Sequence, residues 1–331
     1  MVYLPPKGIL SDVSCTNQID IDEMAKTLLA KTQNEKVYDE QLIQAQGIFK
    51  KAFNVGRLSC SIIELEFYFG EDPYLFSDYQ LFQPFRFYFR RRAPKDDDPP
   101  EKIQPNGSVF VHGKKRGLCV TMGTEQFQSY ILIRSIMTPA GVVEGAAAVL
   151  DFVVENMGVK TVEDLNRGLI RMLEIHNASN PAQRVELSRD LVPCYLSALG
   201  LALVDVEAKD CPYQGERIYH GPRVGLTLKN ETEYYGKYSM YVMKPYRFTY
   251  RGGLLKIAKH YFALTARLHE VPDFTIQEDL KVSGELVGRW SSYFTRGETA
   301  SVDILMQPGN LNLDDVKKQC TAYGFFSRFN K

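Results

Sequence analysis

The sequence predicts an α+β fold: a mixed, mostly antiparallel curved sheet with packed helices. Helix-period patterns occupy the first fifty-odd residues, the stretch from Pro139 to Gly200, and parts of the tail. Strand chemistry gathers between Leu58 and Ile136 and returns at Val224–Leu228 and Tyr246–Tyr250. Glycine- and proline-rich turns separate the strand segments.

The elements follow in order. Asp20 or Asp22 is placed to cap a helix holding Met24, Leu28 and Leu29, and a second helix is expected from Tyr38 to Phe53. Cys60–Phe69 alternates as a strand. Tyr74–Phe89 is rich in aromatics and ends in Arg90, Arg91 and Arg92. The polar, proline-rich stretch 93–106 reads as an exposed loop carrying Asp96, Asp97 and Asp98. Val109–His112 and Leu118–Met122 are expected to pair as a hairpin across a turn bounded by Gly113 and Gly117. Tyr130–Ile136 is a nearly continuous apolar strand, expected to be central. Pro139 is expected in the first turn of a helix that runs to Gly158 as its C′ residue. Thr161 is placed to cap a helix carrying Leu165, Leu169, Met172 and Leu173, and another helix is expected over 188–200. Beyond Gly252 come a helix around 254–268 and a short final helix capped near Asn312. The expected organisation is a helical segment over 1–57, an α+β core over 58–251 and an extension over 252–331 packed on that core.

Composition narrows the function classes. The chain has 331 residues, 44% hydrophobic and 24% charged, which places it among ordinary globular proteins. No apolar run reaches the roughly 20 residues that span a bilayer, and the first residues lack a secretory signal. Six scattered cysteines without Cys-x-x-Cys spacing predict no zinc site and a reducing compartment, nuclear or cytoplasmic. Equal numbers of acidic and basic residues, 40 of each, give no global attraction to nucleic acid, so such binding needs local basic patches. Neither a nucleophile elbow nor a phosphate-binding glycine loop is present.

Three constellations carry chemistry. On the strand from Cys60, alternation places Ile62, Glu64, Glu66 and Tyr68 on one face and Ile63, Leu65, Phe67 and Phe69 on the other. The second face is core. The first is either a solvent-facing strand edge, or a cleft wall whose carboxylate activates water beside a ring that stacks on a planar substrate. Arg134, inside an apolar strand, needs an anionic partner or a ligand: a salt bridge to Glu64 or Glu66, or a share in holding a water beside Glu66. Lys114, Lys115 and Arg116 on one turn, and Arg86 and Arg90–Arg92 interleaved with aromatics, read either as solvated surface or as phosphate and base contacts.

In order, these segments resemble the alkyladenine (3-methyladenine) DNA glycosylase family. Its Glu-x-Glu-x-Tyr-x-Gly strand is matched by Glu64-Leu65-Glu66-Phe67-Tyr68-Phe69-Gly70, and its glycine-led hairpin by the stretch 107–122. Its Val-Leu-Leu-Arg-Ala-x-x-Pro strand is matched by Ile131-Leu132-Ile133-Arg134-Ser135-Ile136-Met137-Thr138-Pro139. Leu196–Leu201, Pro222–Leu226 and Lys244–Phe248 follow its later segments. The resemblance covers roughly residues 58 to 251 in short islands, whose shared order gives most of the specificity.

The resemblance implies that fold and an N-glycosidase acting on a damaged purine flipped out of DNA. It assigns water activation to Glu66, water positioning to Arg134 and the backbone near Val224, and base stacking to Tyr68 and His112. It implies no metal or cofactor and a nucleic-acid partner, with double-stranded DNA favoured over RNA. The absence of an apolar span predicts no membrane, and residues 252–331, outside the resemblance, form either a surface for a protein partner or a cover over the sheet. This chain also departs from the family pattern. Ser77 or Asp78 stands where the family has histidine, Thr121 near a lost asparagine, and Lys114-Lys115-Arg116 where the family wedges a tyrosine. The alternative is therefore a non-catalytic module of the same fold that binds nucleic acid or serves within a larger assembly.

Overall fold

The computed structural model describes residues 37–69, 84–91, 110–112, 117–122, 129–179, 191–225, 243–300, 313 and 315–327. The chain is α+β, and among the described strand pairs of known direction one is parallel and the others antiparallel. Two compact units divide it: the described parts of Met1–Ile62 and Ser77–Tyr213, and those of Ile63–Phe76 and Gln214–Lys331.

In the first unit, helix α1 (Val37–Phe49) buries Ala45, Ile48 and Phe49, an i, i+3, i+4 set. It stops at Phe49, short of the Phe53 expected, because Ala52–Val55 forms strand β1. Strand β1 pairs antiparallel with the start of β2 (Leu58–Phe69) in a tight hairpin, Val55 opposite Leu58. Strand β3 (Pro84–Arg91) is the aromatic and arginine-rich segment, and Phe87 lies 6.0 Å from Phe53, ring to ring.

Strand β3 corrects the expected hairpin. It lies between β4 (Phe110–His112) and β5 (Gly117–Met122), parallel to the first and antiparallel to the second. Phe89 is thus opposite Phe110 on one side and Leu118 on the other. A glycine-bounded turn predicts pairing only if no third strand competes, and an aromatic strand with high β-propensity does compete here.

Strand β6 (Ser129–Thr138) is buried along most of its length and pairs with β5 through Tyr130–Ile133. A hairpin follows into β7 (Gly141–Glu144). Pro139 sits in that hairpin turn rather than in a helix, and Thr138 Oγ1 accepts from the Ala140 amide at 3.1 Å and donates to the Gly141 carbonyl at 2.9 Å. Proline suits the second position of a turn as well as the first turn of a helix, and the hydroxyl before it decides between them.

Helix α2 (Ala146–Asn156) buries Val149, Leu150, Val153 and Val154 and packs on β5 and β6. It ends, as expected, ahead of Gly158, whose φ of +74° suits the C′ position. Helix α3 (Val162–Ser179) is capped by Thr161, whose Oγ1 accepts from the Asp164 amide at 3.0 Å. Helix α4 (Leu191–Ala198) and strand β8 (Ala202–Val204), antiparallel to β1, complete the unit.

The second unit takes the rest of β2, from Ile63. Strand β10 (Arg247–Thr249) pairs antiparallel with it, Arg247 opposite Glu66 and Thr249 opposite Glu64. On its other side β10 pairs with β9 (Tyr219–Gly221), His220 opposite Phe248. His220 therefore lies on a strand, whereas its glycine- and proline-flanked sequence predicts a loop. Of the strand expected over Val224–Leu228, Val224 and Gly225 lie outside any strand and the remainder falls outside the described residues.

The tail is helical: α5 (Lys259–Leu268), α6 (Asp273–Leu280), α7 (Gly284–Glu298) and α8 (Val316–Ser327). The last helix is capped by Asp315, whose Oδ1 accepts from the Lys318 amide at 2.8 Å. Helices α7 and α8 cross at two glycines. A Cβ on Gly297 would lie 1.9 Å from the Thr321 carbonyl oxygen, and one on Gly324 1.9 Å from that of Phe294. The backbones touch there, which only glycine permits.

Candidate functional site

Both faces of β2 beyond Ile62 are withdrawn from solvent. Ile63, Leu65 and Phe67 form the apolar face, and Glu64, Glu66 and Tyr68 on the other are 1%, 0% and 5% exposed. The solvent-edge alternative for Glu64, Glu66 and Tyr68 therefore does not hold. Two buried carboxylates on one strand demand partners.

Glu66 is held from two sides. Its Oε1 accepts from the backbone N–H of Val224 at 2.8 Å, and its Oε2 accepts from the Tyr68 hydroxyl at 3.0 Å. Tyr68, two residues along the same face, reaches back to it as strand alternation dictates. Val224 is brought there by the short segment after β9. The preceding residue, Arg223, is buried, and its Nη1 donates to the Phe67 carbonyl at 3.3 Å. Its guanidinium lies over the Tyr68 ring at 4.4 Å and within 5.4 Å of the Tyr246 ring centroid. One face of Tyr68 is thus already covered by a cation.

Glu64 is held by Arg247, whose Nε donates to Oε1 with both side chains buried. Arg247 lies directly opposite Glu66 in the ladder but turns to the diagonal carboxylate. The rest of its fork is satisfied by the Ala258 and Ile257 carbonyls, at 3.3 and 3.1 Å, and its plane lies 4.3 Å from the Phe262 ring centroid. The fixed donors of a guanidinium suit such a site; an ammonium would leave the two carbonyls unserved.

Among the residues picked out from the sequence, Glu66, Tyr68 and Val224 come together. Arg134 is half-buried on β6 in the first unit, and its carbonyl accepts from the Gly145 amide at 2.8 Å. Thr121 is fully buried on β5 opposite Tyr130. His112 lies on β4 opposite Arg91, and Arg90 and Arg91 belong to β3. Ser77, Asp78, Arg92, Lys114, Lys115 and Arg116 lie outside the described residues. Arg223 and Arg247 complete the cluster, and neither was assigned a role from the sequence. Each carries the signal that singled out Arg134: one arginine in an apolar or aromatic stretch, Gly221-Pro222-Arg223-Val224 and Pro245-Tyr246-Arg247-Phe248.

The second unit also holds three histidines. His220 and His269 approach Nε2 to Nε2 at 3.3 Å. Burial, with Arg247 nearby as a lesser cause, pushes the pKa of His260 down to about 3, and its Nε2 is buried without a hydrogen-bond partner. Among the described residues no group of three or more His, Cys, Asp or Glu side chains is arranged to hold a metal ion. No described helix is long and apolar enough to cross a membrane. No protein-family model matches the chain, and no curated protein is significantly similar to it.

Proposed function

We propose that this chain is a glycosylase-like α+β module that binds nucleic acid, within a larger assembly, without cleaving the glycosidic bond. One observation carries the reading. Glu66 is completely withdrawn from solvent, both its oxygens accept hydrogen bonds from the chain itself, and Arg223 covers the face of Tyr68. A general base must reach a water, and a stacking platform must offer a bare face. Here the carboxylate instead ties β2 to the Val224 backbone, and the tyrosine carries a guanidinium. Contact with nucleic acid then rests on the basic residues the sequence singles out, Arg90–Arg92 and Lys114–Arg116, as contacts to phosphate that carry no base readout.

An active hydrolase is the second reading. It is favoured by the convergence of Glu66, Tyr68 and Val224, to which the family resemblance assigns water activation, base stacking and a share in water positioning, although Val224 is 158 residues from Glu66 in sequence. It requires Arg223 to leave Tyr68 when a flipped base enters. The two readings part in one experiment: base release from duplexes containing hypoxanthine or an alkylpurine, wild type against Glu66→Gln, with anisotropy titrations of duplex DNA, single-stranded DNA and RNA over a salt series. The module reading expects salt-dependent binding without release. Release abolished by Glu66→Gln overturns it in favour of the hydrolase, and absence of any binding removes the nucleic-acid partner.

A further inference from the structure

The pair of histidines on β9 and α5 belongs to neither reading. His220 is nearly buried, stacked on Phe248 at 6.0 Å and fixed by the β9–β10 ladder. His269 caps the C-terminus of α5, its amide bonded to the Thr265 and Ala266 carbonyls, and its ring is exposed. The rings stand 5.0 Å apart with interplanar angle 57°, and the two Nε2 atoms face each other at 3.3 Å.

That separation has a coordination meaning. Two imidazole nitrogens on one zinc ion, each about 2.0–2.1 Å from the metal at the tetrahedral angle, stand about 3.3 Å apart. Right-angled coordination at the same bond lengths would bring them to about 2.9 Å. We propose that His220 and His269 supply two ligands of a site for a zinc-like divalent ion.

The chemistry around the pair fits. Ligation uses the neutral imidazole, protonated at Nδ1 with the Nε2 lone pair directed at the metal. Stacking and strand pairing fix the His220 ring before any ion arrives, and the exposed His269 gives the ion its path from solvent. Without metal, the same two nitrogens share one hydrogen. Zinc prefers nitrogen donors, whereas magnesium demands oxygen, so magnesium is the negative control.

The test uses the tag-free full chain stripped with EDTA and titrated by calorimetry with zinc sulfate, and in parallel with magnesium sulfate. Saturable zinc binding at one ion per chain is expected, without binding of magnesium. Affinity should fall more than about tenfold in His269→Ala, since one of the two histidine ligands is lost. His269 is exposed, so that variant is expected to fold, which its denaturant curve checks. Cobalt(II) should give the intense visible bands of tetrahedral coordination in the wild type and lose them in His269→Ala. No saturable zinc binding, or zinc binding and cobalt bands unchanged in His269→Ala, would leave the pair as a hydrogen-bonded contact only and overturn the proposal.

Discussion

Replacing Arg247 by Met removes a guanidinium that serves three acceptors, the Glu64 carboxylate and the carbonyls of Ala258 and Ile257. Met keeps much of the packing against Phe262 but takes the Arg247 guanidinium away from Glu64, whose side chain is 1% exposed. Breaking a buried ion pair from one side costs about 3–5 kcal/mol, because the remaining charge keeps its desolvation penalty and loses its partner. The two carbonyls add roughly 1 kcal/mol each where they stay dry. Trp290, the chain's only tryptophan, lies on α7 in the second unit and is 9% exposed, so its fluorescence reports the relevant unfolding in urea. The expected result is a loss of at least about 3 kcal/mol at pH 7, close to the whole stability of a marginal unit. The double variant Arg247→Met with Glu64→Met removes the buried carboxylate as well and should be more stable than Arg247→Met alone by at least about 1 kcal/mol. A loss below about 1 kcal/mol in the single variant, or no recovery in the double, would refute the view that this pair holds β10 to β2 and α5.

Three further outcomes follow from the same geometry. Tyr68→Phe keeps the ring beneath Arg223 but deletes its hydrogen bond to the Glu66 carboxylate, and should cost about 1.5–3 kcal/mol by urea unfolding. Gly324→Ala places a methyl against the Phe294 carbonyl, so α7 and α8 must separate; a loss of about 1–3 kcal/mol is expected, and an unchanged denaturation midpoint would contradict the crossing. His260 is neutral in the folded chain, with its pKa near 3 against an ordinary 6.5, and it lies beside Tyr261 with Arg247 close enough to disfavour its charge. The unfolded chain therefore takes up the extra proton as pH falls below 6.5. The stability His260 contributes is fully present above that pH and declines towards 3, by up to about 2 kcal/mol between pH 6.5 and 5. In His260→Gln the slope of stability against pH should be shallower, and an identical slope would exclude His260 as its source.

The strand carrying Glu64, Glu66 and Tyr68 was legible because alternation and charge sit together in a short window, and period two decides which residues share a face. Burial of that face was not legible. It depends on β10 and the Arg223 segment, more than 150 residues away, and a carboxylate reads the same whether its partner is water or a distant arginine. The hairpin expected across Gly113–Gly117 failed for a related reason. Turn chemistry is local, while insertion of β3 between β4 and β5 depends on strands competing for the same edge. Caps survived better. Thr161 and Gly158 act within one helical turn, so the residues that decide the outcome are the residues in view. Pro139 shows the limit of that locality, since its fixed φ suits two kinds of turn and the Thr138 hydroxyl chooses between them. Arg247 and Arg223 were legible in kind, as arginines in apolar sequence, but their targets were not.

Single-turnover base release with the chain in excess over duplex, wild type beside Glu66→Gln and Arg223→Met, tests the central claim most directly: that Glu66 is a structural tie and not a water-activating base. No release by any of the three is expected on hypoxanthine- or alkylpurine-containing DNA, together with a measurable loss of stability in Glu66→Gln. Release by wild type that disappears in Glu66→Gln, with stability unchanged, would contradict it.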